Sequence, residues 1–313
     1  MPTVSCRWAD VVTFHPLSTT TRDRLLAGGL DPDGVAAVVR MAVAEDLLGG
    51  IDVTSVATVP AGQRSVGTFG SRAVGVVAGL AVAAAAIDAV CGDDSEFEYL
   101  VDDGDRVDPG GEVARVIAPT RGLLTAERSA LNLLCHLSGV ATLTRRWADA
   151  LDGTGCVVRD TRKTTPGLRA LEKYAVRCGG GANHRMGLSD AALVKDNHVL
   201  AAGGVAEAVA AVRGLEATLP VEIEVDSLEG LREAIGAGAD LVLLDNFDLD
   251  AMRAAVALRD ELDGAVRLEA SGGLTIEVAR QVGETSVDYV AVGELTHSAR
   301  VLDLGLDLTT TSP

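Results

Sequence analysis

Polar and charged side chains follow a series of short apolar segments in the second half of this 313-residue chain. These segments have the composition of buried strands, and helix-like stretches separate most of them. Strands that alternate with helices form parallel sheets, whose active sites are built at the carboxyl ends of the strands. A single charged loop residue would be ordinary, but the repetition at successive strand ends indicates a functional site. The residues at these ends are Arg162 and Lys163, Lys195 with Asp196 and Asn197, Glu224 with Asp226, Asp245 with Asn246, Glu269 with Ser271, and Glu294.

The region from residue 159 to residue 198 is cationic, although the whole chain carries a formal charge of −18. The only three lysines of the chain, Lys163, Lys173 and Lys195, lie in this region. A cationic region in an acidic protein favours a ligand that carries several negative charges. Arg169, Lys173 and Arg177 repeat every four residues, which predicts the exposed face of a helix.

Two further pairs of residues suggest specific chemistry. Glu224 and Asp245 end consecutive predicted strands, so their carboxylates would face one pocket. They could bind Mg²⁺, act as a general acid and base, or only balance the charge of the arginines. His184 and Arg185 are adjacent, and arginine binds carboxylates through two parallel hydrogen bonds, so this pair is a candidate carboxylate site.

Two glycine turns follow the last two predicted strands, where such barrels often bind phosphate through backbone N–H groups. They are Ser271-Gly272-Gly273 and Val292-Gly293-Glu294. The run at residues 179–181 is interpreted instead as a helix stop.

The composition limits the class of protein. The acidic balance argues against nucleic acid or an anionic membrane as a partner. Five widely spaced cysteines without a CxxC pair indicate neither a disulfide framework nor a zinc site, and they favour a reduced, cytoplasmic location. The N-terminus lacks an apolar signal segment.

The predicted elements divide the chain at about residue 125. Before it we expect a helix that begins at Asp31-Pro32 and stops at Gly49-Gly50, a second helix over about 80–90, and short antiparallel strands. After it we expect a long helix over about 126–151. Strands are then predicted at 156–159, 192–195, 221–225, 241–244, 266–270 and 289–292, with a weaker one near 183–186. The helix-like stretches are 168–177, 205–213, 228–235, 249–262 and 276–282.

Several motifs between about residues 120 and 300 together resemble the quinolinate phosphoribosyltransferase family, the decarboxylating nicotinate-nucleotide pyrophosphorylases of NAD biosynthesis. The motifs are AERSALNLL at 126–134, SGVAT at 138–142, DTRKTTPGLR at 160–169, EKYAVRCGGGANHRMGL at 172–188, KDNH at 195–198, EIEVDS at 222–227, LLDNF at 243–247, LEASGG at 268–273 and VGELTHS at 292–298. The segment EDLLGGIDVTS at 45–55 resembles the family's acidic-Gly-Asp-Thr segment with altered spacing.

The resemblance implies an α/β protein with an N-terminal α/β sandwich domain and a C-terminal irregular α/β barrel. The expected divisions are a loose arm over 1–20, a sandwich domain over 21–125 joined by the tail 297–313, and a barrel over 126–296. It also implies a homodimer in which Arg128 is donated to the active site of the partner chain.

The implied reaction joins quinolinate to the sugar of 5-phosphoribosyl 1-pyrophosphate, with Mg²⁺ as cofactor and loss of CO₂. Lys163 and Lys195 would orient the carboxylates of quinolinate, and Glu224 and Asp245 would bind the ribose and the metal. The implied quinolinate pocket comprises Arg162, Lys163, His184, Arg185 and Lys195, and Arg128 of the partner chain is a further substrate-binding residue. The implied phosphate rim comprises Thr161, Ser271, Gly272, Gly273, Gly293 and Glu294. Two alternatives stay open: a related barrel phosphoribosyltransferase for another pyridine or heterocyclic acid, and a non-catalytic protein that binds an anionic metabolite.

Overall fold

The computed structural model describes residues 13–310. Most of the predicted N-terminal arm lies outside the described residues, and within them the first helix already begins at Thr19. The helices are α1 (Thr19–Ala27), α2 (Pro32–Leu47), α3 (Val53–Thr58), α4 (Leu80–Cys91), α5 (Thr120–Leu151), α6 (Arg169–Cys178), α7 (Asp196–Ala202), α8 (Val205–Leu215), α9 (Leu228–Gly236), α10 (Leu249–Leu262), α11 (Ala279–Gly283) and α12 (Glu294–His297). The strands are β1 (Arg64–Ser71), β2 (Gly75–Val76), β3 (Glu96–Tyr99), β4 (Arg106–Val107), β5 (Glu112–Pro119), β6 (Val157–Arg159), β7 (Ala192–Val194), β8 (Val221–Val225), β9 (Leu241–Asp245), β10 (Arg267–Ser271), β11 (Tyr289–Ala291) and β12 (Leu304–Thr310).

These elements form two compact units. The first unit contains the chain up to Thr142, the segment Pro166–Gly179 and the residues from Ala299 onward; the second contains Leu143–Thr165 and Gly180–Ser298. The unit boundaries differ from the predicted domain boundaries, because α5 runs without a break past residue 125 and α6 belongs to the first unit. Compact units need not fold independently, so the predicted domain boundaries stay a prediction.

The first unit is built on an antiparallel sheet with the strand order β12-β1-β5-β3. Helix α2 begins as predicted, because the side chain of Asp31 accepts a hydrogen bond from the backbone N–H of Gly34, and Pro32 occupies the first helical position. Helix α4 is buried almost throughout, which its run of alanines allows because small side chains let neighbouring elements pack closely on every side.

Helix α6 corrects one prediction. Lys173 is fully buried, so Arg169, Lys173 and Arg177 do not form a shared exposed face. The preceding residue, Glu172, is also buried, and its carboxylate lies 2.8 Å from Nε2 of His136. Spacing alone misled the interpretation, because charged residues can be buried where they have partners.

The second unit is built on a six-stranded parallel sheet with the strand order β6-β11-β10-β9-β8-β7. All six clear strand predictions are confirmed, and so is the division into an antiparallel N-terminal part and a parallel C-terminal part. The weaker strand predicted near 183–186 is wrong, since residues 183–186 form no strand and the neighbouring Ala182 makes only an isolated bridge with Arg159. The last strand of the parallel sheet, β11, pairs with the first, β6. The segment after Ala182 therefore lies where a regular barrel would have its second strand.

Because the strands are parallel, their carboxyl ends lie at one edge of the sheet. The register places Asp245 of β9 beside Ser271 of β10, and Val225 of β8 beside Leu244 of β9. Among residues 13–310, no single helix is long and apolar enough to cross a membrane; α7 and α8, which meet at an angle of 86°, reach that length and composition only as a pair.

Candidate active site

The carboxyl edge of the parallel sheet surrounds a cavity of about 430 Å³ in the second unit. Side chains that follow β6 and β7, at the two ends of the strand order, both line it, together with residues from the strands between them. The structure therefore brings nine predicted site residues to one cavity. They are Thr161, Arg162, Lys163, His184, Arg185, Lys195, Glu224, Asp245 and Ser271.

The turn after β6 positions Arg162 and Lys163. The backbone N–H of Lys163 donates to the hydroxyl of Thr161 at 3.0 Å, and its carbonyl accepts from the hydroxyl of Thr296 at 2.9 Å. A side chain at Gly293 would lie 3.0 Å from Cδ of Lys163, so glycine leaves room for the lysine chain. The glycine turn after β11 therefore supports the cationic turn after β6.

The loop between α6 and β7 carries His184 and Arg185. The buried carboxylate of Asp160 accepts from the backbone N–H of His184 at 2.9 Å. Asp190 accepts from the backbone N–H groups of Met186 and Gly187, which closes the loop, and Arg185 donates to the carbonyl of Ala191 at 3.0 Å. These contacts fix the irregular segment that takes the place of the predicted strand.

The arginines of the cavity have unused donors. Burial and then the charge of Arg162 lower the pKa of Arg185, which indicates that the two guanidinium groups lie near one another. The Nε atoms of both arginines are buried and make no hydrogen bond within the described part of the chain. Buried donors without a partner are rare in native proteins, so the arrangement suits an anion that would accept from them.

Glu224 and Asp245, which we call the mouth carboxylates, are both partly exposed. The ammonium group of Lys195 forms an ion pair with Glu224, whose side chain is 21% exposed. Asp245 accepts a hydrogen bond from the side-chain amide of Asn246 at 2.8 Å. Two carboxylates that face one cavity fit the ligand preference of Mg²⁺, which binds one or two carboxylates and retains several waters.

The predicted phosphate turns lie beside the cavity, and four of the site residues predicted in them do not line it. Gly272 has a φ of +97°, and a side chain there would lie 2.2 Å from the amide oxygen of Asn246, so the tight turn requires glycine. Glu294 accepts a hydrogen bond from the indole N–H of the buried Trp147 at 3.3 Å, which gives it a structural contact. The residues outside the lining are Gly272, Gly273, Gly293 and Glu294.

Arg128 lies in the first unit, where it is exposed on α5. It lines a separate cavity of about 470 Å³, together with Arg72 and Cys135. Within this chain it is therefore not among the residues that line the cavity at the carboxyl edge of the parallel sheet.

Two acids for which the sequence predicts no specific role lie below the mouth of the cavity, although Glu269 is among the predicted strand-end residues. Glu222 and Glu269, which we call the buried carboxylates, are 5% and 0% exposed, and Glu269 lines the cavity. Nε2 of His184 lies 2.7 Å from Glu222 and 3.6 Å from Glu269, and Arg159 donates to Glu269 at 2.5 Å. The spacing Glu222-Ile223-Glu224 was a usable signal, because residues two apart in a strand share a face.

The ligand atoms of His184, Glu222 and Glu269 lie within 4.8 Å of one another, a spacing that a metal ion could bridge. Mg²⁺ prefers oxygen ligands and keeps several of its water ligands. A buried cluster that contains an imidazole offers a nitrogen ligand and leaves little room for water. The guanidinium of Arg159 already binds one of the two carboxylates. The mouth carboxylates would therefore suit Mg²⁺ better than this cluster.

Comparison with known proteins agrees with this geometry. The family model for the N-terminal domain of quinolinate phosphoribosyl transferase matches residues 52–138, and the model for its C-terminal domain matches residues 140–307. The nicotinate-nucleotide pyrophosphorylase (carboxylating) of Mycobacterium leprae is 52% identical over 277 residues, which cover 88% of this chain and 98% of that protein. A tobacco (Nicotiana tabacum) protein named quinolinate phosphoribosyltransferase (decarboxylating) 2b, mitochondrial, is 37% identical over 87% of this chain and 82% of its own length.

Solved structures show the same relationship. The crystal structure of NadC from Streptococcus pyogenes superposes with a TM-score of 0.85 at 38% identity, covering 90% of this chain and 99% of that one. Both family models, the curated relatives and the fold agree over most of the sequence. This chain belongs to the quinolinate phosphoribosyl transferase family.

Proposed function

We propose that this protein transfers the phosphoribosyl group of 5-phosphoribosyl 1-pyrophosphate to quinolinate and releases CO₂, which yields nicotinate mononucleotide and pyrophosphate. One observation carries the proposal: a single cavity collects four cationic side chains and the mouth carboxylates at the carboxyl edge of a parallel sheet. Both substrates are polyanions, and an anion that leaves water needs paired cations. The family of the chain supports the same reaction.

In this proposal the cationic side chains bind quinolinate. Arg162 and Arg185 bind its two carboxylates, since the buried Nε–H of each guanidinium makes no hydrogen bond to the described residues. Lys163 and Lys195 add charge at the more exposed side of the cavity. Lys195 must leave its ion pair with Glu224, at least in part, to contact the substrate.

Mg²⁺ would be held by Glu224 and Asp245, whose oxygen chemistry and partial exposure fit a hydrated divalent ion. When bound, the ion neutralises charge on the pyrophosphate leaving group. The hydroxyls of Thr161 and Ser271 line the cavity and would donate to phosphate oxygens. The backbone N–H groups of the neighbouring turns at Gly272 and Gly293 would add further donors.

The protein side chains contribute to both stages of the reaction. As the bond from C1 of the ribose to pyrophosphate breaks, C1 becomes positively charged, and the mouth carboxylates stabilise that charge. The pyridine nitrogen bonds to C1 and becomes cationic. The bond between C2 and its carboxylate then breaks, and CO₂ leaves. The electron pair remains on C2 beside the cationic nitrogen, and C2 takes a proton from water. Arg162 and Arg185 keep the ring in the orientation that both stages need.

We further propose that the protein is a cytoplasmic homodimer in which Arg128 serves the cavity of the partner chain. The exposure of Arg128 on α5 supports this idea, because a donated arginine must project from the surface. The test mixes two inactive variants, Arg128→Ala and Arg162→Ala, after dissociation and reassociation. Partial recovery of activity is expected, because one of the two cavities in a mixed dimer then has both arginines; no recovery would argue for a site within one chain.

The reaction itself is tested with quinolinate carrying ¹⁴C in its 2-carboxylate. We expect release of ¹⁴CO₂ that requires both 5-phosphoribosyl 1-pyrophosphate and Mg²⁺, together with one pyrophosphate per CO₂. A related transferase for a monoacid would form pyrophosphate with nicotinate and release no CO₂ from quinolinate. A protein that only binds an anion would form neither product, and either outcome would overturn the proposal.

A further inference from the structure

The buried carboxylates are not used by the proposed mechanism, yet they lie directly beneath the substrate cavity. Two acids that are nine-tenths or more buried are costly in a site that must attract polyanions. One oxygen of each, Oε1 of Glu222 and Oε1 of Glu269, is buried and has no hydrogen-bond partner in the described part of the chain. Buried oxygens without a hydrogen-bond partner are rare in native proteins, so they often mark a functional group.

Several charged or titratable groups of the described residues act on Glu269, among them the buried thiol of Cys156, just before β6. Arg159 on β6 donates to it at 2.5 Å, His184 lies 3.6 Å away on the loop, and Glu222 on β8 belongs to the same cluster. From β11, the ring of Tyr289 lies 4.7 Å from the guanidinium of Arg159 and covers it. The cluster therefore combines two acids with one permanent cation, Arg159, and one titratable imidazole.

A proton on one carboxyl group explains the cluster better than two ionised acids. A protonated carboxyl is neutral, so it is far less costly to bury, and its O–H can serve as the donor that the neighbouring oxygens lack. Arg159 pairs with Glu269 through the other oxygen of that carboxyl group, Oε2, which leaves Oε1 able to carry the proton.

We propose that Glu269 is the proton-carrying group of this cluster, and that the binding of quinolinate is coupled to proton uptake at Glu269. This inference rests on the proposed function. Quinolinate brings two negative charges above Glu269, and these favour the neutral over the ionised carboxyl. By linkage, the protonated protein binds the diacid more tightly than the deprotonated protein. Glu269 is here a positioning residue that sets the charge beneath the substrate.

The direction of the pH effect follows from the ionisation of Glu269. Burial and then the charge of Glu222 raise the pKa of Glu269 to about 7, although Arg159 and His184 act in the opposite direction. In the unliganded protein Glu269 therefore loses its proton as the pH rises through about 7. Quinolinate binding should weaken above that pH, by up to roughly tenfold per pH unit for a single proton.

The test measures KM for quinolinate between about pH 6.5 and 8.5, with both other reactants saturating. We expect KM to rise steeply above about pH 7 in the unmodified protein and to change less than about twofold in Glu269→Gln, since glutamine cannot ionise. The matched control is Glu277→Gln, because Glu277 is exposed and outside the cavity. A merely structural role for Glu269 would raise KM of the variant at every pH without removing its pH dependence, and that result would overturn the inference.

A second measurement covers the case in which Glu269→Gln fails to fold. The heat of quinolinate binding to the unmodified protein is measured near pH 7.5 in phosphate and in Tris, which differ in ionisation enthalpy. Different heats, with the sign of proton uptake, are expected; equal heats would contradict the inference. Turnover with a flat KM profile overturns this inference alone, whereas absence of quinolinate-dependent CO₂ release overturns the proposed function.

Discussion

The mouth carboxylates and the buried carboxylates have the same chemistry but lie at different depths of one cavity. Glu222 and Glu224 are even on the same strand and the same face, two residues apart. Glu224 is paired with a lysine and partly exposed, whereas Glu222 contacts a histidine and is nearly buried. Asp245 and Glu269 form the corresponding contrast on the neighbouring strands β9 and β10.

The depth of a carboxylate in the cavity therefore decides what it can do. Near solvent, a carboxylate stays hydrated and can exchange a lysine for a metal ion. Beneath the surface, the cost of burying charge favours a proton or a fixed cation such as Arg159. We therefore expect the upper pair to act on the substrates directly and the lower pair to set the charge of the surrounding side chains.

The largest expected effect concerns the cations that hold the diacid above both pairs. Arg162→Ala should lower kcat/KM by roughly 30- to 1000-fold, because losing one charged contact costs about 2–4 kcal/mol of transition-state stabilisation. Steady-state kinetics measure this. The matched control is Arg253→Ala, which removes an exposed arginine on α10 that pairs only with the neighbouring Asp250 among the described residues. Near-normal kcat/KM for Arg162→Ala would show that the cavity is not the site.

The second prediction concerns stability and the lower pair. Since the folded state raises the pKa of Glu269 from 4.5 to about 7, it holds that proton more tightly than the unfolded state. The contribution of Glu269 to stability should therefore fall as the pH rises from about 4.5 to about 7 and stay constant above it. The Glu269→Gln variant should not lose stability in this way, because glutamine does not ionise. Relative to the unmodified protein, its unfolding free energy should increase by up to about 3 kcal/mol between pH 5 and pH 8.

Urea unfolding at both pH values checks this difference, and Glu277→Gln again serves as control because its side chain is exposed. A difference that is independent of pH would mean that Glu269 has the same ionisation in the folded and unfolded chains. That result would contradict the claim that burial favours the protonated form of Glu269.

The smallest expected effect separates the metal-binding roles of the two glutamates on β8. Glu224→Gln should raise the Mg²⁺ concentration for half-maximal activity by about tenfold, because an amide oxygen is a weaker ligand than a carboxylate. Glu222→Gln should leave this concentration within about twofold. Titration of activity with Mg²⁺ measures both concentrations. Equal shifts in the two variants would contradict the proposal that Glu224, and not Glu222, binds the metal.

The sequence predicted the mouth of the cavity better than its base. Strand ends such as those at Lys195 and Asp245 are recognisable because polar residues interrupt apolar runs, and parallel strands bring their ends together. Glu269 is among the predicted strand-end residues and Glu222 shares a face with Glu224, but nothing in the pattern shows that both acids are buried. Lys173 was misjudged for the same reason, since helical spacing gives the face of a residue but not what covers that face.

Irregular backbone was also beyond the sequence pattern. The segment after Ala182 is predicted as a weaker strand, but the carboxylates of Asp160 and Asp190 instead accept backbone hydrogen bonds that close a loop. Such side-chain contacts to the backbone depend on tertiary positions that spacing does not encode.

The most direct test of the difference between the two pairs is a crystal structure with quinolinate, a non-reactive analogue of 5-phosphoribosyl 1-pyrophosphate, and Mn²⁺ in place of Mg²⁺. The anomalous signal of manganese distinguishes the metal from the lighter atoms of the protein, the substrates and water. We predict a peak between Glu224 and Asp245, with quinolinate bound by Arg162 and Arg185. A manganese peak among His184, Glu222 and Glu269, with none at the mouth, would contradict the account.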